Sequence, residues 1–349
     1  MDTPRIFISG LGHVGRAMLA LLKEKSSPAC RVAGLADSSG ALLSAAGFTR
    51  EELDRIAAAK ATGQRLAALG AGFQDGFRAD ALAAIGESKP ELLIELSPTD
   101  LDGGGAAGRY ARAGLASGAD LIFASKGALA GDWEGITAAV RRAGRRLRFS
   151  ATVGGGMPVL DAGLAFAQAN PIDSIEALLN GTCVYILSLM ETGMDFDEAL
   201  KAAQAAGMAE ADPAADVDGW DAAAKLSILA RVTMGCPLAV SAIERGSLRK
   251  ASGEAVRSAL RAGKRLRAVG RIERVPAAAG PDSARASIRL MEVDARSALA
   301  RSGSENAVVF SSRYAGDLAL IGKGAGPRET AAAVLRDLAI LSAGTQPYS

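Results

Sequence analysis

The stretch RIFISGLGHVGRAMLALLKEK (5–25) decides the fold. Residues 5–9 are a short apolar run, read as a buried strand. Gly10, Gly12 and Gly15 then form G-x-G-x-x-G, and from Val14 to Lys25 apolar residues recur at helical spacing. Strand, glycine turn and helix in this order are the context a dinucleotide fingerprint requires. The first glycine permits a tight turn. The second lets the backbone approach a pyrophosphate, and the third allows close helix–strand packing. The helix N-terminus, at His13, Val14 and Gly15, faces the phosphates. A second strand, RVAGLAD (31–37), ends in Asp37, about 20 residues past Gly15, where an acid that binds a ribose is expected. The competing reading of Asp37 is a turn former ahead of Ser38, Ser39 and Gly40. No arginine directly follows Asp37, which points to NAD; Lys60, within reach of a ribose phosphate, keeps NADP open.

Outward from this unit, strands and helices alternate. Residues 41–86 carry mostly helical patterns, ELLIELS (91–97) reads as a buried strand, and 103–118 as a helix loosened at its start by Gly103–Gly105. DLIFASK (120–126) is a strand, ITAAVRRAGRR (136–146) a helix, and LRFSATVGGG (147–156) a strand running into a glycine turn. This alternation implies an α/β fold with a Rossmann-type, doubly wound parallel sheet. Ligands in such sheets sit beyond the carboxyl ends of the strands, which singles out Ser97 and Lys126. The basic run RRAGRRLR (141–148) suits a helix C-terminus rather than a phosphate patch.

After Met157-Pro158 the pattern changes. A strand leads into a turn over 173–182, and helices follow at 183–193 and 195–207, the latter with Asp195 as N-cap and Gly207 as C-cap. AEADPAADVDGWDAAAK (209–225) then crowds Glu210, Asp212, Asp216, Asp218 and Asp221 ahead of Lys225. Asp221 and Lys225 stand at i and i+4, on one helical face. Asp212, Asp216 and Asp218 read as caps and solvated turn residues. KRLRAVGRIERV (264–275) and ARASIRLMEVDA (284–295) alternate apolar and polar residues, so a second, α+β domain holds an antiparallel or mixed sheet. Their turn is VPAAAGPDS (275–283), and NAVVFSSRYAGDLALIG (306–322) adds short strands before the GKGAG loop and a last helix at 329–341.

Composition narrows the chemistry. The 349 residues suffice for two domains, and the net charge of +2 does not point to a nucleic-acid binder. Cys30, Cys183 and Cys236 are widely spaced, indicating neither a zinc site nor a disulfide framework, and the start lacks a signal-peptide layout. A cytoplasmic protein with no membrane or nucleic-acid partner is expected. His13 is the only histidine, so any proton chemistry away from the glycine loop falls to lysine or a carboxylate.

The chain resembles homoserine dehydrogenase in its short form, without a regulatory ACT domain. The resemblance runs from residue 5 to about 341 and is densest in LLNGTCVYILSLMETGMDFDEALKAAQAAGMAEADPAADVDGWDAAAKLSILA (178–230), with support from GLGHVG, the lysine of SKGALA, VGGGMP, and GKGAG followed by ETA. It implies an NAD(P)-dependent enzyme interconverting aspartate semialdehyde and homoserine. Glu210 and Asp221, with Gly181 and Thr182, bind the substrate, while Lys126 and Lys225 flank its reacting carbon and act as acid and base. Gly324 joins the cofactor residues. It also implies a homodimer and a first domain, 1–150, completed by 306–349 around a substrate-binding and oligomerisation domain, 151–305.

Four departures bear on this expectation. The family's Asn-Lys is Ser125-Lys126 here, its asparagine after Gly-Thr-x is Val184, and its His-Glu-Ala is Phe149-Ser150-Ala151. The missing glutamate weakens a monovalent cation site, leaving the carbonyls of Val153 and Gly155 as its remaining candidates. The apolar replacements raise a same-fold dehydrogenase with another hydroxy or amino-alcohol substrate as the alternative, and a non-catalytic NAD(P)-binding protein as a second.

Overall fold

The computed structural model describes residues 3–24, 28–100, 105–168, 170–275 and 283–344. In chain order the elements are β1 (Arg5–Ser9), α1 (His13–Glu24), β2 (Arg31–Asp37), β3 (Gly40–Leu43), α2 (Arg50–Ala61), β4 (Phe77–Arg78), α3 (Ala81–Ser88), β5 (Leu92–Glu95) and α4 (Gly105–Ala116). Then come β6 (Asp120–Phe123), α5 (Gly127–Gly131), α6 (Trp133–Ala143), β7 (Leu147–Arg148), α7 (Val159–Ala167), β8 (Ser174–Leu178), α8 (Gly181–Glu191) and α9 (Phe196–Ala205). The rest are α10 (Ala214–Val217), α11 (Trp220–Met234), β9 (Glu244–Arg245), α12 (Gly253–Arg261), β10 (Lys264–Arg274), β11 (Ala284–Asp294), β12 (Glu305–Ser312), β13 (Gly316–Lys323) and α13 (Pro327–Ser342). The expected helical Lys25, the opening glycines Gly103 and Gly104, and the turn residues 276–282 lie outside the described residues.

Two compact units emerge: Met1–Thr152 with Gly326–Ser349, and Val153–Ala325. The first holds a seven-stranded sheet in the order β4-β3-β2-β1-β5-β6-β7, parallel from β2 to β7. Its central strands are unbroken apolar runs. Ile6, Phe7, Ile8, Leu93, Ile94, Leu121, Ile122 and Phe123 are fully buried, as a sheet covered on both faces requires. Strand order reverses between β1 and β5, so the crevice at their carboxyl ends is the topological switch point. The 41–86 segment is less helical than its pattern suggests. GALL becomes β3, antiparallel to β2, and pairs in turn with the two-residue β4. Such short apolar runs carry no period that separates strand from helix.

The return of the chain to this unit is shorter than expected. Only α13 comes back, burying Ala331, Val334, Leu338 and Leu341 in a core shared with Ile8, Met18 and Ile94. Residues 306–325 belong to the second unit: β12 lies antiparallel to β8, with Phe310 opposite Ile175, and carries β13 on its outer edge. Val308 and Phe310 are fully buried there, which is what fixes β12 in that sheet.

The second unit is built on a six-stranded mixed sheet, β13-β12-β8-β10-β11-β9, in which β11–β9 is the parallel pair. Helices α8, α9 and α12 enclose Ile186, Leu187, Met190, Ala199, Ala203 and Val256. Asp195 caps α9 through a reciprocal box with Glu198, and Gly207, at φ +70°, ends it as its position predicts. Among the described residues no helix is long and apolar enough to cross a membrane.

Candidate active site

The glycine loop in the first unit is shaped by three different demands. Gly10 has φ +93°, and a Cβ there would meet the backbone of Leu96 at 2.5 Å. Gly15 packs so tightly that a Cβ would lie 2.2 Å from the Gly10 carbonyl oxygen. Gly12 faces open space, with nothing within 4 Å of the point where a Cβ would stand. The loop is therefore crowded on its protein side and clear on the side where a pyrophosphate would approach. Helix α1 begins at His13 with no acid in its first turn, so its unpaired N–H groups present an unopposed positive end.

Asp37 stands at the end of β2, as expected, but its oxygens are already engaged. It accepts from Ser39 N (2.8 Å), Ser39 Oγ (2.6 Å), Leu66 N (3.0 Å) and Lys60 Nζ (2.5 Å). Burial alone would raise its carboxyl; Lys60 and the three other donors hold it below the ordinary range. An open cleft beside it is lined by Asp37, Ser38, Gly40, Asp80, Arg109 and Tyr110. Across the switch point, Ser97 lies two residues past β5, and Lys126 caps α5 with its N–H on Thr99 Oγ1 (3.3 Å).

The second unit gathers a polar cluster where β8 ends. Asn180 caps α8 through its Oδ1 on Cys183 N (2.9 Å), which aims its amide nitrogen at two carboxylates. Asn180 Nδ2 donates to Asp216 Oδ1 (2.6 Å) and to Asp221 Oδ2 (3.2 Å). Asp221 Oδ2 also meets Lys225 Nζ at 2.6 Å, one helical turn along α11. Lys225, 8% exposed, donates a second bond to the Leu179 carbonyl (2.6 Å). Gly181 is buried at the start of α8, Thr182 donates to the Met208 carbonyl (2.8 Å), and Glu210 is exposed between α9 and α10.

Sequence reasoning missed two members of this cluster. Asp216 is not a solvated turn residue: it is half-buried, and burial pushes its carboxyl up against the opposing Asn180 bond. In the sequence Asn180 reads only as part of the turn that closes 173–182 and of the family-like block 178–230. The bland reading holds for Asp212, which accepts from Ala214 N (3.1 Å), and for Asp218, which accepts from Ser247 Oγ (2.6 Å).

The four departures are absorbed by packing and hydrogen bonding. Val184 is buried with Leu178, Val269 and Ala307, and Phe149 packs edge-on against Trp133 at 5.6 Å. Ser125 donates to Glu95. Ser150 gives its N–H to Asp337 (2.8 Å), and its hydroxyl accepts from Arg336 (3.2 Å). A guanidinium on the residue that replaces the glutamate does not fit a monovalent cation. Val153 is fully buried, and Gly155 is pressed against the Gly324 carbonyl, where a Cβ would approach to 2.5 Å. Gly324 itself lies in the second unit, flat against the Asn306 amide.

Comparison with known proteins fits both halves. Residues 10–150 match the family model described as homoserine dehydrogenase, NAD binding domain, and residues 158–339 match that of homoserine dehydrogenase. Homoserine dehydrogenase of Methanocaldococcus jannaschii is 30% identical over 340 residues, 95% of this chain and 97% of that one. The NAD(+)-dependent homoserine dehydrogenase of Pseudomonas canavaninivorans is 30% identical over 348 residues, 97% and 96% of the two chains. The crystal structure of a homoserine dehydrogenase from Thiobacillus denitrificans has a TM-score of 0.81 at 27% identity, covering 98% of this chain and 75% of that one. Fold and matches together define an NAD(P)-dependent oxidoreductase acting on a CH–OH group. The chain belongs to the homoserine dehydrogenase family.

Proposed function

We propose that the protein interconverts L-homoserine and L-aspartate 4-semialdehyde, with Lys225 as the acid/base. The observation that carries this reading is the way Lys225 is held. Two of its three N–H directions are fixed, on the Leu179 carbonyl and on Asp221. The third tetrahedral position is the one left for a substrate hydroxyl. In the neutral amine the lone pair points there, so Lys225 takes the hydroxyl proton as the hydride leaves carbon for the nicotinamide. The reverse reaction returns that proton to the aldehyde oxygen. Glu210, Asp216 and Asp221 supply the negative charge that a substrate ammonium requires, and Lys126 answers the substrate carboxylate. The cofactor enters at the glycine loop. Lys60 neutralises Asp37, and Arg109 lines the adjoining cleft, so NADP is admitted as well as NAD. No step is routed through a metal ion.

A homodimer in a reducing, cytoplasmic setting completes the proposal. The edge strand β13 leaves Ile321 45% exposed, and an unpaired edge is a surface that a second copy can cover. Sedimentation of the purified protein tests it; a monomer at all concentrations removes it. The function itself is tested by initial rates with L-homoserine and either NAD or NADP, following reduced nicotinamide. Turnover is expected with homoserine and not with amino alcohols lacking the carboxylate. Confirmed dinucleotide binding without homoserine turnover would refute the substrate assignment.

A further inference from the structure

Glu95 ends β5 at the switch point and is fully buried, yet among the described residues no cation hydrogen-bonds it. Its partners are two serines. Ser97 gives Glu95 Oε1 both its backbone N–H (2.8 Å) and its hydroxyl, and the Ser125 hydroxyl goes to Oε2. Burial pushes the carboxyl up, and these three bonds oppose that shift. A buried carboxyl of this kind is costly, and an apolar side chain would complete the strand more cheaply.

Its placement gives it a use. Ser97 follows β5 and Ser125 follows β6, on the far side of the switch point from Asp37. A dinucleotide lies across such a switch point, one nucleotide over each half. The Gly10 loop packs against Leu96 and Ser97 N, the latter 2.6 Å from a Cβ built on Gly10. With the adenosine half on the Asp37 side, the nicotinamide half falls to Ser97 and Ser125. A serine hydroxyl has one proton and two lone pairs. When the proton is committed to a carboxylate, the oxygen can only accept. The nicotinamide carboxamide carries an NH2 group, which needs acceptors.

We propose that Glu95 is a positioning residue for the nicotinamide: by taking the hydroxyl protons of Ser97 and Ser125 it fixes both oxygens as acceptors for the cofactor's carboxamide N–H groups. The inference rests on the dinucleotide reading of the first unit and not on the identity of the second substrate. An ionised glutamate accepts from both serines at once. A glutamine in its place accepts at one oxygen and donates from its nitrogen, which turns one serine round.

The test is calorimetric binding of NAD and of 3-acetylpyridine adenine dinucleotide, in which a methyl replaces the carboxamide NH2, to the wild type and to Glu95→Gln. If NADP binds more tightly, the NADP pair is used. The variant is expected to bind NAD about tenfold more weakly while its affinity for the acetylpyridine analogue changes less than about threefold. Equal losses for both dinucleotides, or no loss for either, would overturn the proposal and leave Glu95 a packing residue. If Glu95→Gln does not fold, Ser97→Ala is measured in the same way, and an equal loss for both dinucleotides there is equally fatal. A wild type that binds neither NAD nor NADP fails at the earlier step, the dinucleotide reading itself.

Discussion

The surfaces proposed for cofactor and for substrate, one in each unit, are made of different material. In the first unit the surface proposed for the cofactor is mostly backbone: three glycines and the N-terminus of α1. In the second unit the surface is side chain: Asn180, Asp216, Asp221 and Lys225, linked by bonds of 2.6–3.2 Å. Backbone geometry is encoded locally, within a few residues. A side-chain cluster is assembled from positions whose sequence distance says nothing of their contact. The two should therefore fail differently when disturbed.

The largest expected effect separates chemistry from binding. Lys225→Ala should lower kcat by a factor of about 10² to 10⁴ while the affinity for NAD stays within about twofold. Lys126→Ala is expected to act in the same direction, with more of its effect in the KM for homoserine. Near-wild-type turnover in Lys225→Ala would remove that lysine from the mechanism and leave the side-chain half without its acid/base.

Gly15→Ala probes the backbone half. The added carbon sits 2.2 Å from the Gly10 carbonyl, so the loop has to shift or the helix move away. A stability loss of about 1–3 kcal/mol is expected, with weakened binding of both NAD and NADP. Thermal unfolding and dinucleotide titration read the two effects together. A variant of normal stability and normal affinity would show that the loop geometry is not what holds the cofactor.

Asp216→Asn asks whether the second half depends on charge or only on shape. Asparagine keeps the volume and still reaches Asn180, but it removes one of the negative charges meant for the ammonium. The KM for homoserine should rise about tenfold, with the KM for the dinucleotide unchanged. An unchanged KM for homoserine would return Asp216 to a structural role.

This contrast also explains what could be read from the chain. The glycine loop, the i, i+4 pairing of Asp221 with Lys225 and the cap at Asp195 all arise within a few residues, and the parallel sheet follows from the alternation of strand and helix patterns; each is visible in the letters. Asp216 was not separable from Asp212 and Asp218 by any local signal. What distinguishes it is Asn180, 36 positions earlier, donating to it from the α8 cap. The assignment of 306–325 failed for the same reason. The segment has clear strand character, but which sheet receives a strand is settled by a distant partner, here β8. Val184 and Phe149 looked like altered pocket residues because an apolar replacement in a polar motif reads the same whether it faces a ligand or a core.

The smallest expected effect concerns a side-chain pair set within the backbone half. Lys60→Ala would leave Asp37 buried without its cation. The freed carboxylate oxygen gains a site for a ribose hydroxyl, and its charge, no longer offset, repels a ribose phosphate. The ratio of kcat/KM for NAD to that for NADP should therefore rise about three- to tenfold, a shift of about 1 kcal/mol. The same change carries a stability signature. Asp37 is held below the ordinary carboxylate range, so its contribution is present above the unfolded pKa and is lost as pH falls through the folded one. Wild type should exceed Lys60→Ala in stability at neutral pH, and the gap should narrow in acid. A cofactor ratio that does not move, with the stability gap present, would make the Asp37–Lys60 pair a strut of the fold; the adenosine end would then be recognised by the cleft around Arg109 and Tyr110, as side-chain-built as the substrate half.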